Sequence, residues 1–328
     1  MTSSGWPRRG VLGLGAAALA AGGARAQGWQ PARPVRLVTP YGPGNVADQV
    51  ARLVAEELSR RWGQRVVVDN QPGAGGALGV AQIARAPADG TVLGFIAVAA
   101  LAIIPHMMRA RTYEPLEDIV PIAGASVSRS AIVVHPALPV RSVTELVAHA
   151  RARPAGDPLA YYSAGNGTVP HLAVEQMRRV LDFPAQHVPY RTSGAGVADL
   201  LAGRVQLTMD AASVTLPHVQ GGALRALAWN GPVRNPSIPD VPTLAEAAPG
   251  LELLNAWQGL YGPRGLPAEI VARCAQDMAE VVGDPAFAAR MPGGAEPLRA
   301  GPEELRATLR RQHAELGRLV AAIGLEQD

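Results

Sequence analysis

The stretch VTPYGPGNVADQVARLVAEEL, residues 38–58, joins the end of an apolar strand to a strongly periodic helix. Residues 40–45 between them include two prolines, two glycines and an asparagine. Small residues at such a turn let a ligand approach the backbone, and the unpaired N–H groups of a helix start favour an anion. The stretch therefore predicts an α/β unit that binds an anion there, unless the turn is an ordinary one and Asp48 only complements the helix dipole.

The alternation of strand and helix continues on either side of this turn. Strands are expected at 35–39, 66–69 and 92–98, with helices at 46–61 and 78–86 between them. Because strands and helices alternate in the order βαβαβ, the segment predicts a parallel sheet covered by helices.

A second alternating unit begins near residues 121–134. Its strands are expected at 159–162, 187–189, 205–209 and 224–229, with helices at 142–151, 170–180 and 196–202. Ser142 is expected to cap the first of these helices, since Glu145 follows three residues later. Two long helices, at 267–282 and 302–323, close the chain. Two α/β units joined by two crossings predict a cleft between them.

The first 26 residues have the pattern of a cleaved export signal. Arg8 and Arg9 precede a short apolar run, and Ala24-Arg25-Ala26 provides a cleavage site with small residues on both sides. The arginine pair resembles a twin-arginine signal, and the general secretory route is the alternative. No later segment is long and apolar enough for a membrane span. We therefore expect an exported, soluble, periplasmic protein.

The charge balance argues against a polyanionic partner. The chain has 30 Lys and Arg residues and 27 Asp and Glu residues, and three of the arginines lie in the expected signal. The remainder is balanced, so we expect no nucleic-acid partner and no direct membrane insertion. Because the chain contains no lysine, Schiff-base lysines and a P-loop are excluded.

Patterns for catalysis, metals and cofactors are missing from the sequence. The segment 191–195 comes nearest to a nucleophile elbow but lacks its first glycine, and the seven histidines are scattered. The glycine-rich segment 73–79 has the wrong order for a dinucleotide site. Cys274, the only cysteine, lies in a helical segment and is expected to be buried. The sequence thus predicts no enzyme, no metal site and no cofactor.

Two further segments repeat the strand, small polar turn and helix of the opening stretch. They are YSAGNGTVPH at 162–171 and PYRTSGAG at 189–196. Arg191 could pair bidentately with a carboxylate, or could make only a surface ion pair. His171 could bind a ligand, or could simply pack at the start of its helix.

In this order, the motifs resemble the extracytoplasmic solute receptors of tripartite tricarboxylate transporters, the Bug or TctC-type receptors. The shared pieces include VVVDNQPGAGG at 66–76, ADG at 88–90, SAGNGTVPH at 163–171, PYR at 189–191, PDVPTLAE at 239–246 and WQGLYGP at 257–263. The resemblance implies an α/β, type II periplasmic-binding-protein fold, with two α/β lobes and a ligand cleft between them. It implies four segments: the signal at 1–26, lobe 1 at 27–127, lobe 2 at 128–252, and the return crossing with the rest of lobe 1 at 253–328.

The resemblance also implies a receptor without catalysis that delivers a small organic carboxylate to membrane subunits of a tripartite tricarboxylate-type transporter. Transferred by motif position, the ligand-binding residues would be Tyr41, Gly42, Asn45, Asp48, Ala97 and Val98 in the first lobe, and Ser163, Asn166, Thr168, His171, Tyr190, Arg191, Thr192 and Asp210 in the second. A ligand-sensing module for a sensor kinase and, less favoured, an exported enzyme on the same fold are the alternatives.

The chain departs from the family pattern at two places in the first lobe. Asn45-Val46-Ala47 precede Asp48 where the family has a glycine and then Thr or Ser, and IAVAA at 96–100 replaces a hydroxylated loop. Because side-chain donors are lost there, we expect a more apolar wall and a ligand with a hydrophobic or aromatic body.

Overall fold

The computed structural model describes residues 1–2, 29–292 and 294–325. The expected export signal therefore lies outside the described residues except for its first two positions. Among the helices of the described ranges, none is both long enough and apolar enough to cross a bilayer.

Strands and helices alternate through most of the described chain. The strands are β1 (Val35–Thr39), β2 (Val66–Asn70), β3 (Val92–Ala97), β4 (Ile119–Ser128), β5 (Ala131–Val134), β6 (Leu159–Ser163), β7 (Ala185–Pro189), β8 (Leu207–Thr208), β9 (Arg225–Trp229), β10 (Ala256–Pro263) and β11 (Ala295–Pro297). The helices are α1 (Val46–Trp62), α2 (Ala77–Ala84), α3 (Val98–Ala102), α4 (Ile104–Met107), α5 (Val143–Ala152), α6 (Val169–Val180), α7 (Ser193–Leu201), α8 (Ala212–Gln220), α9 (Leu244–Ala247), α10 (Ala268–Gly283), α11 (Pro285–Arg290) and α12 (Pro302–Ile323).

The first sheet is built from both ends of the described chain. Its strand order is β11-β4-β10-β3-β1-β2, and β1 is parallel to both β2 and β3. β10 runs antiparallel to β3 and to β4. Since β1 and β3 are parallel neighbours, their carboxyl ends lie at the same edge of the sheet.

The second sheet is built from the middle of the chain. Its order is β7-β6-β8-β5-β9, in which β6 is parallel to β7 and β8, whereas β5 is antiparallel to β8 and β9. The carboxyl ends of β6, β7 and β8 therefore share one edge. Two α/β lobes with separate sheets confirm the predicted fold class, while the exact lobe boundaries at 127/128 and 252/253 stay predictions.

Local sequence signals explain how the helices begin and end. The side chain of Asn45 accepts a hydrogen bond from the N–H of Asp48 at the start of α1, and Gly63 ends this helix with a left-handed φ of 61°. The predicted cap of α5 is confirmed, because the Ser142 hydroxyl accepts from the N–H of Glu145. Helix α7 begins three residues earlier than predicted, because Thr192 caps it by accepting from Ala195.

The hydrophobic stripe of α1 packs on the first sheet. Val50, Val54 and Leu58, spaced by four residues, are fully buried in one cluster with Leu37 and Phe95 from the sheet. This burial fixes the direction of α1, so its first turn stays at the carboxyl end of β1.

Candidate ligand-binding site

Several helices begin just after the carboxyl end of a strand that borders the expected cleft. They include α1 and α3 after β1 and β3 in the first lobe, and α6, α7 and α8 after β6, β7 and β8 in the second. No side chain caps the start of α6 or of α8. Helix starts carry unpaired N–H groups and a partial positive charge, so the two edges together suit an anionic ligand.

The first turn of α1 is held by a buried carboxylate. Asp48 is only 2% exposed, and its Oδ2 accepts the N–H of Gly44 at 2.9 Å. Its Oδ1 accepts from Asn70 Nδ2 at 2.8 Å and from Arg52 Nη2 at 2.9 Å. Asn70 Nδ2 also donates to the carbonyl of Tyr41 at 2.9 Å, so the turn is tied to the end of β2.

These contacts stabilise the ionised form of the Asp48 carboxyl group. Burial raises the pKa of this carboxyl group, but hydrogen bonds from Arg52, Gly44 and Asn70 outweigh it, and the pKa lies below its usual value. Because its oxygens are already occupied within the lobe, Asp48 fits a role in shaping the turn better than a direct contact with an anion.

Of the remaining residues predicted in the first lobe, Asn45 is exposed and its Oδ1 accepts from the N–H of Asp48, whereas the others present few polar groups. The Tyr41 hydroxyl lies 3.5 Å from the carbonyl oxygen of Ala97, so it points into its own lobe. Val98 is fully buried, while Ala97 is partly exposed. Gly42 has open space on the side where a Cβ would stand, which leaves the backbone of the turn approachable.

The loop at 163–168 of the second lobe is shaped by its two glycines. Gly165 and Gly167 have φ of 125° and 70°, conformations that other residues adopt only with strain. Thr168 Oγ1 donates to the carbonyl of Gly165 at 2.8 Å, and Asn166 is exposed at the tip. A Cβ on Gly167 would lie 2.5 Å from Met107 Sδ, so this loop approaches the end of α4 in the first lobe.

The loop at 189–192 lies beside the first loop. The N–H of Tyr190 donates to the carbonyl of Ser163 at 3.0 Å, and its hydroxyl donates to Asp199 Oδ2 at 2.6 Å. Thr192 caps α7, so its hydroxyl is already engaged. Arg191 is exposed and has no ion-pair partner among the described residues, which leaves its guanidinium free for a ligand.

Asp210 lies at the base of the same wall, after β8. It is 3% exposed, its Oδ1 accepts the N–H of Ala211 at 2.7 Å, and its Oδ2 has no partner among the described residues. The hydroxyl of buried Tyr162 is likewise unpaired there. Burial raises the pKa of Asp210 above its usual value.

Three residues that form hydrogen bonds with predicted site residues were not predicted from the sequence. Arg52 and Asn70 bind Asp48, and His187 Nε2 lies 2.7 Å from Ser163 Oγ. The (i, i+4) spacing of Asp48 and Arg52 was a usable signal. Asn70 and His187 gave none, because their contacts depend on which strands are neighbours.

A well-formed cavity lies away from these loops. It measures about 540 Å³ and lies at the crossings between the lobes, where Arg129, Asn230, Trp257, Glu304 and Arg311 are among its lining residues. None of the predicted site residues lines it. This groove mixes both signs of charge, and it is bordered by the start of α9 at Leu244 and by Glu304 in the first turn of α12.

The chain is similar to known proteins over most of its length. The sequence profile of the family described as "Tripartite tricarboxylate transporter family receptor" matches residues 50–325. An R. palustris protein solved with adipate is 31% identical, with a TM-score of 0.74 over 90% of this chain and 99% of that one. The periplasmic binding protein BugD is 30% identical, with a TM-score of 0.70 over 91% and 100%. MatC from Rhodopseudomonas palustris, solved with bound malate, is 27% identical, with a TM-score of 0.71 over 88% and 99%.

Proposed function

Since this chain belongs to the tripartite tricarboxylate transporter receptor family, we propose that it captures a small dicarboxylate with an apolar body in the periplasm. Family membership confirms the resemblance that the motifs indicated, and with it the function of a solute-binding receptor. The identity of the ligand, the residues that bind it and the membrane subunits that receive it are the proposed part.

The observation that carries the proposal is the set of helix starts at the two strand edges. In the second lobe, α6 and α8 begin without a side-chain cap. In the first lobe, α1 begins with a turn that the Asp48 carboxylate stabilises. Arg191 adds a full positive charge that no described carboxylate neutralises. A ligand with a carboxylate at each end could use both lobes at once, which would hold them closed.

The body of the ligand is inferred from the first-lobe wall. Ala97, which is partly exposed at the end of β3, offers no side-chain donor, and the Tyr41 hydroxyl is turned toward the Ala97 carbonyl. A hydroxyl group of a ligand facing this wall would lose its hydration without a partner, which costs about 1–3 kcal/mol. Methylene groups carry no such cost. Two structural relatives were solved with dicarboxylates, adipate without a hydroxyl and malate with one.

The receptor role assigns the protein no chemical step. It would bind its ligand in the periplasm and present it to the membrane subunits of a tripartite transporter, as the family description indicates. An export signal at residues 1–26, by the twin-arginine or the general secretory route, would bring it there.

Isothermal titration calorimetry with a panel of carboxylates tests the ligand class. We expect adipate to bind at least tenfold more tightly than malate, a difference of about 1.4 kcal/mol, and citrate to bind more weakly still. Hexanoate, with the same body and one carboxylate, is the matched control and should bind more weakly than adipate. If citrate were preferred to every ligand with an apolar body, the inference about the wall would be wrong.

Replacing Arg191 by alanine tests the proposed contact with a carboxylate. A hydrogen bond to a charged group contributes about 1.5–3 kcal/mol, so the adipate affinity should fall roughly tenfold to 150-fold if the guanidinium binds the ligand. Arg204→Ala is the matched control, since Arg204 is an exposed arginine already paired with Asp199. A surface ion-pair role would limit the Arg191→Ala loss to about 1 kcal/mol.

A further inference from the structure

Two stacked imidazoles lie beneath the loop at 163–168 of the second lobe. The rings of His171 and His187 are 3.8 Å apart with an interplanar angle of 10°. Tyr161 stacks on His187 with its ring centroid 4.9 Å away. His171 stands in the first turn of α6 and His187 on β7, so the stack joins two elements that border the candidate site.

Each imidazole holds one end of the loop. The N–H of Gly167 donates to His171 Nδ1 at 3.1 Å, and His187 Nε2 lies 2.7 Å from Ser163 Oγ. The same hydroxyl donates to the carbonyl of Gly165 at 3.0 Å. The turn between Ser163 and Gly167 is therefore tied at both ends to one pair of rings.

The contact made by His171 requires a neutral ring, whereas His187 Nε2–H donates to Ser163 Oγ, whose own proton is donated to the Gly165 carbonyl. An imidazole nitrogen accepts a hydrogen bond only when it carries no proton, so protonation of His171 Nδ1 would remove the bond from Gly167. Burial lowers the pKa of His187 to about 4, with a further contribution from His171. Burial likewise lowers the pKa of His171.

The charged side chains near the two rings, Glu175 and Arg178, do not provide a net negative charge that would stabilise a protonated histidine. Glu175, one helical turn from His171, accepts from the Tyr161 hydroxyl at 2.6 Å and from Arg178 Nε at 2.6 Å. Its negative charge is therefore opposed by the positive charge of Arg178. Tyr161, Glu175 and Arg178 are the titratable groups that face the pair from β6 and α6.

We propose that His171 and His187 are positioning residues, which keep the loop at 163–167 in its ligand-binding shape while both rings are neutral and favour its opening in acid. This inference deepens the proposed function, because it assigns the control of one ligand loop to residues below it. A solvent-exposed histidine has a pKa near 6.5. When the loop is open, His171 and His187 therefore bind protons at a higher pH than they do when the loop is closed. The free-energy advantage of the closed loop over the open loop is therefore complete above about pH 6.5 and decreases as the pH falls toward 4.

The first arm of the test uses the ligand at a constant pH of 7.5. Asparagine places an amide oxygen near the position of Nδ1, so His171→Asn can accept from Gly167, whereas His171→Leu cannot. We expect His171→Leu to bind adipate at least fivefold more weakly than His171→Asn, which retains the acceptor for Gly167. His218→Gln, on α8 of the same lobe, is the control and should bind like the wild type.

The second arm needs no ligand and follows amide hydrogen exchange at Gly167 by NMR, corrected for the intrinsic rate. Between pH 7.5 and 5.0, protection in the wild type should fall, by up to about 30-fold for each ring that opening exposes. The double variant His171→Asn/His187→Gln has no ring to titrate and should keep constant protection.

The two arms separate this inference from the proposed function. Equal adipate affinity in His171→Asn and His171→Leu, or protection of Gly167 that changes with pH equally in the wild type and the double variant, would overturn the positioning role. If adipate binds to none of these proteins, the proposed ligand is wrong, while the exchange arm still decides whether the histidines control the loop.

Discussion

Gly42→Val should abolish most ligand binding without unfolding the protein. The side chain would stand in the path by which an anion reaches the backbone N–H groups at the start of α1. We expect the affinity for adipate to fall about 100-fold, or about 2.7 kcal/mol. A Cβ at this position meets no atom within 4 Å, so the free energy of unfolding should change by less than about 1 kcal/mol.

Gly156→Val is the matched control for this substitution. Gly156 lies in the turn before the amino end of β6, whereas the candidate site is at the carboxyl end of that strand, and it also has open space around its Cβ position. The control should bind adipate like the wild type in calorimetry, and both variants should unfold near the wild-type urea midpoint. Wild-type affinity in Gly42→Val would exclude the turn from the site.

Asp48→Ala should destabilise the first lobe by about 3 kcal/mol and weaken binding as well. The substitution leaves the N–H of Gly44 without its partner and removes one of the two acceptors of Asn70 Nδ2. Loss of a hydrogen bond to a buried charge costs about 1.5–3 kcal/mol, and Arg52, which is half exposed, can return to water. Urea unfolding followed by circular dichroism measures this loss.

Two comparisons isolate the buried contacts of Asp48. Asp69→Ala removes a more exposed carboxylate that pairs with Arg36 on the neighbouring strand, and should cost no more than about 1 kcal/mol. Asp48→Asn retains an acceptor of the same shape and should fall between the wild type and Asp48→Ala. If Asp48→Ala lost affinity but no stability, the carboxylate would act on the ligand directly rather than through the turn.

The local elements were predictable because their signals lie within a few residues of each other. Helix α12 has the predicted bounds, α1 extends only one residue further, and Ser142 caps α5 as expected. The clustering of the second-lobe residues was also predictable in outline, since strands that alternate with helices tend to be parallel and share one edge. The start of α7 was misplaced because a threonine cap was overlooked in favour of the glycines that follow.

The contacts that shape the candidate site depended on strand order, which the sequence does not contain. Placing β7 beside β6 brings His187 against Ser163, and placing β2 beside β1 brings Asn70 against Asp48. These partners are 24 and 22 residues apart along the chain. No periodic pattern links residues at such separations.

The sequence by itself determined the α/β class, the starts of α1, α5 and α12 and the lack of lysine, because each depends on residue type or on neighbours within one or two turns. Three features depended on the tertiary structure. The Asp48 carboxylate accepts hydrogen bonds from its own lobe, Arg191 has no ion-pair partner among the described residues, and His171 stacks on His187. Whether a polar group is free or engaged depends on what packing places within about 3 Å of it. That packing is set by the burial of apolar faces across the whole lobe rather than by the polar residues themselves.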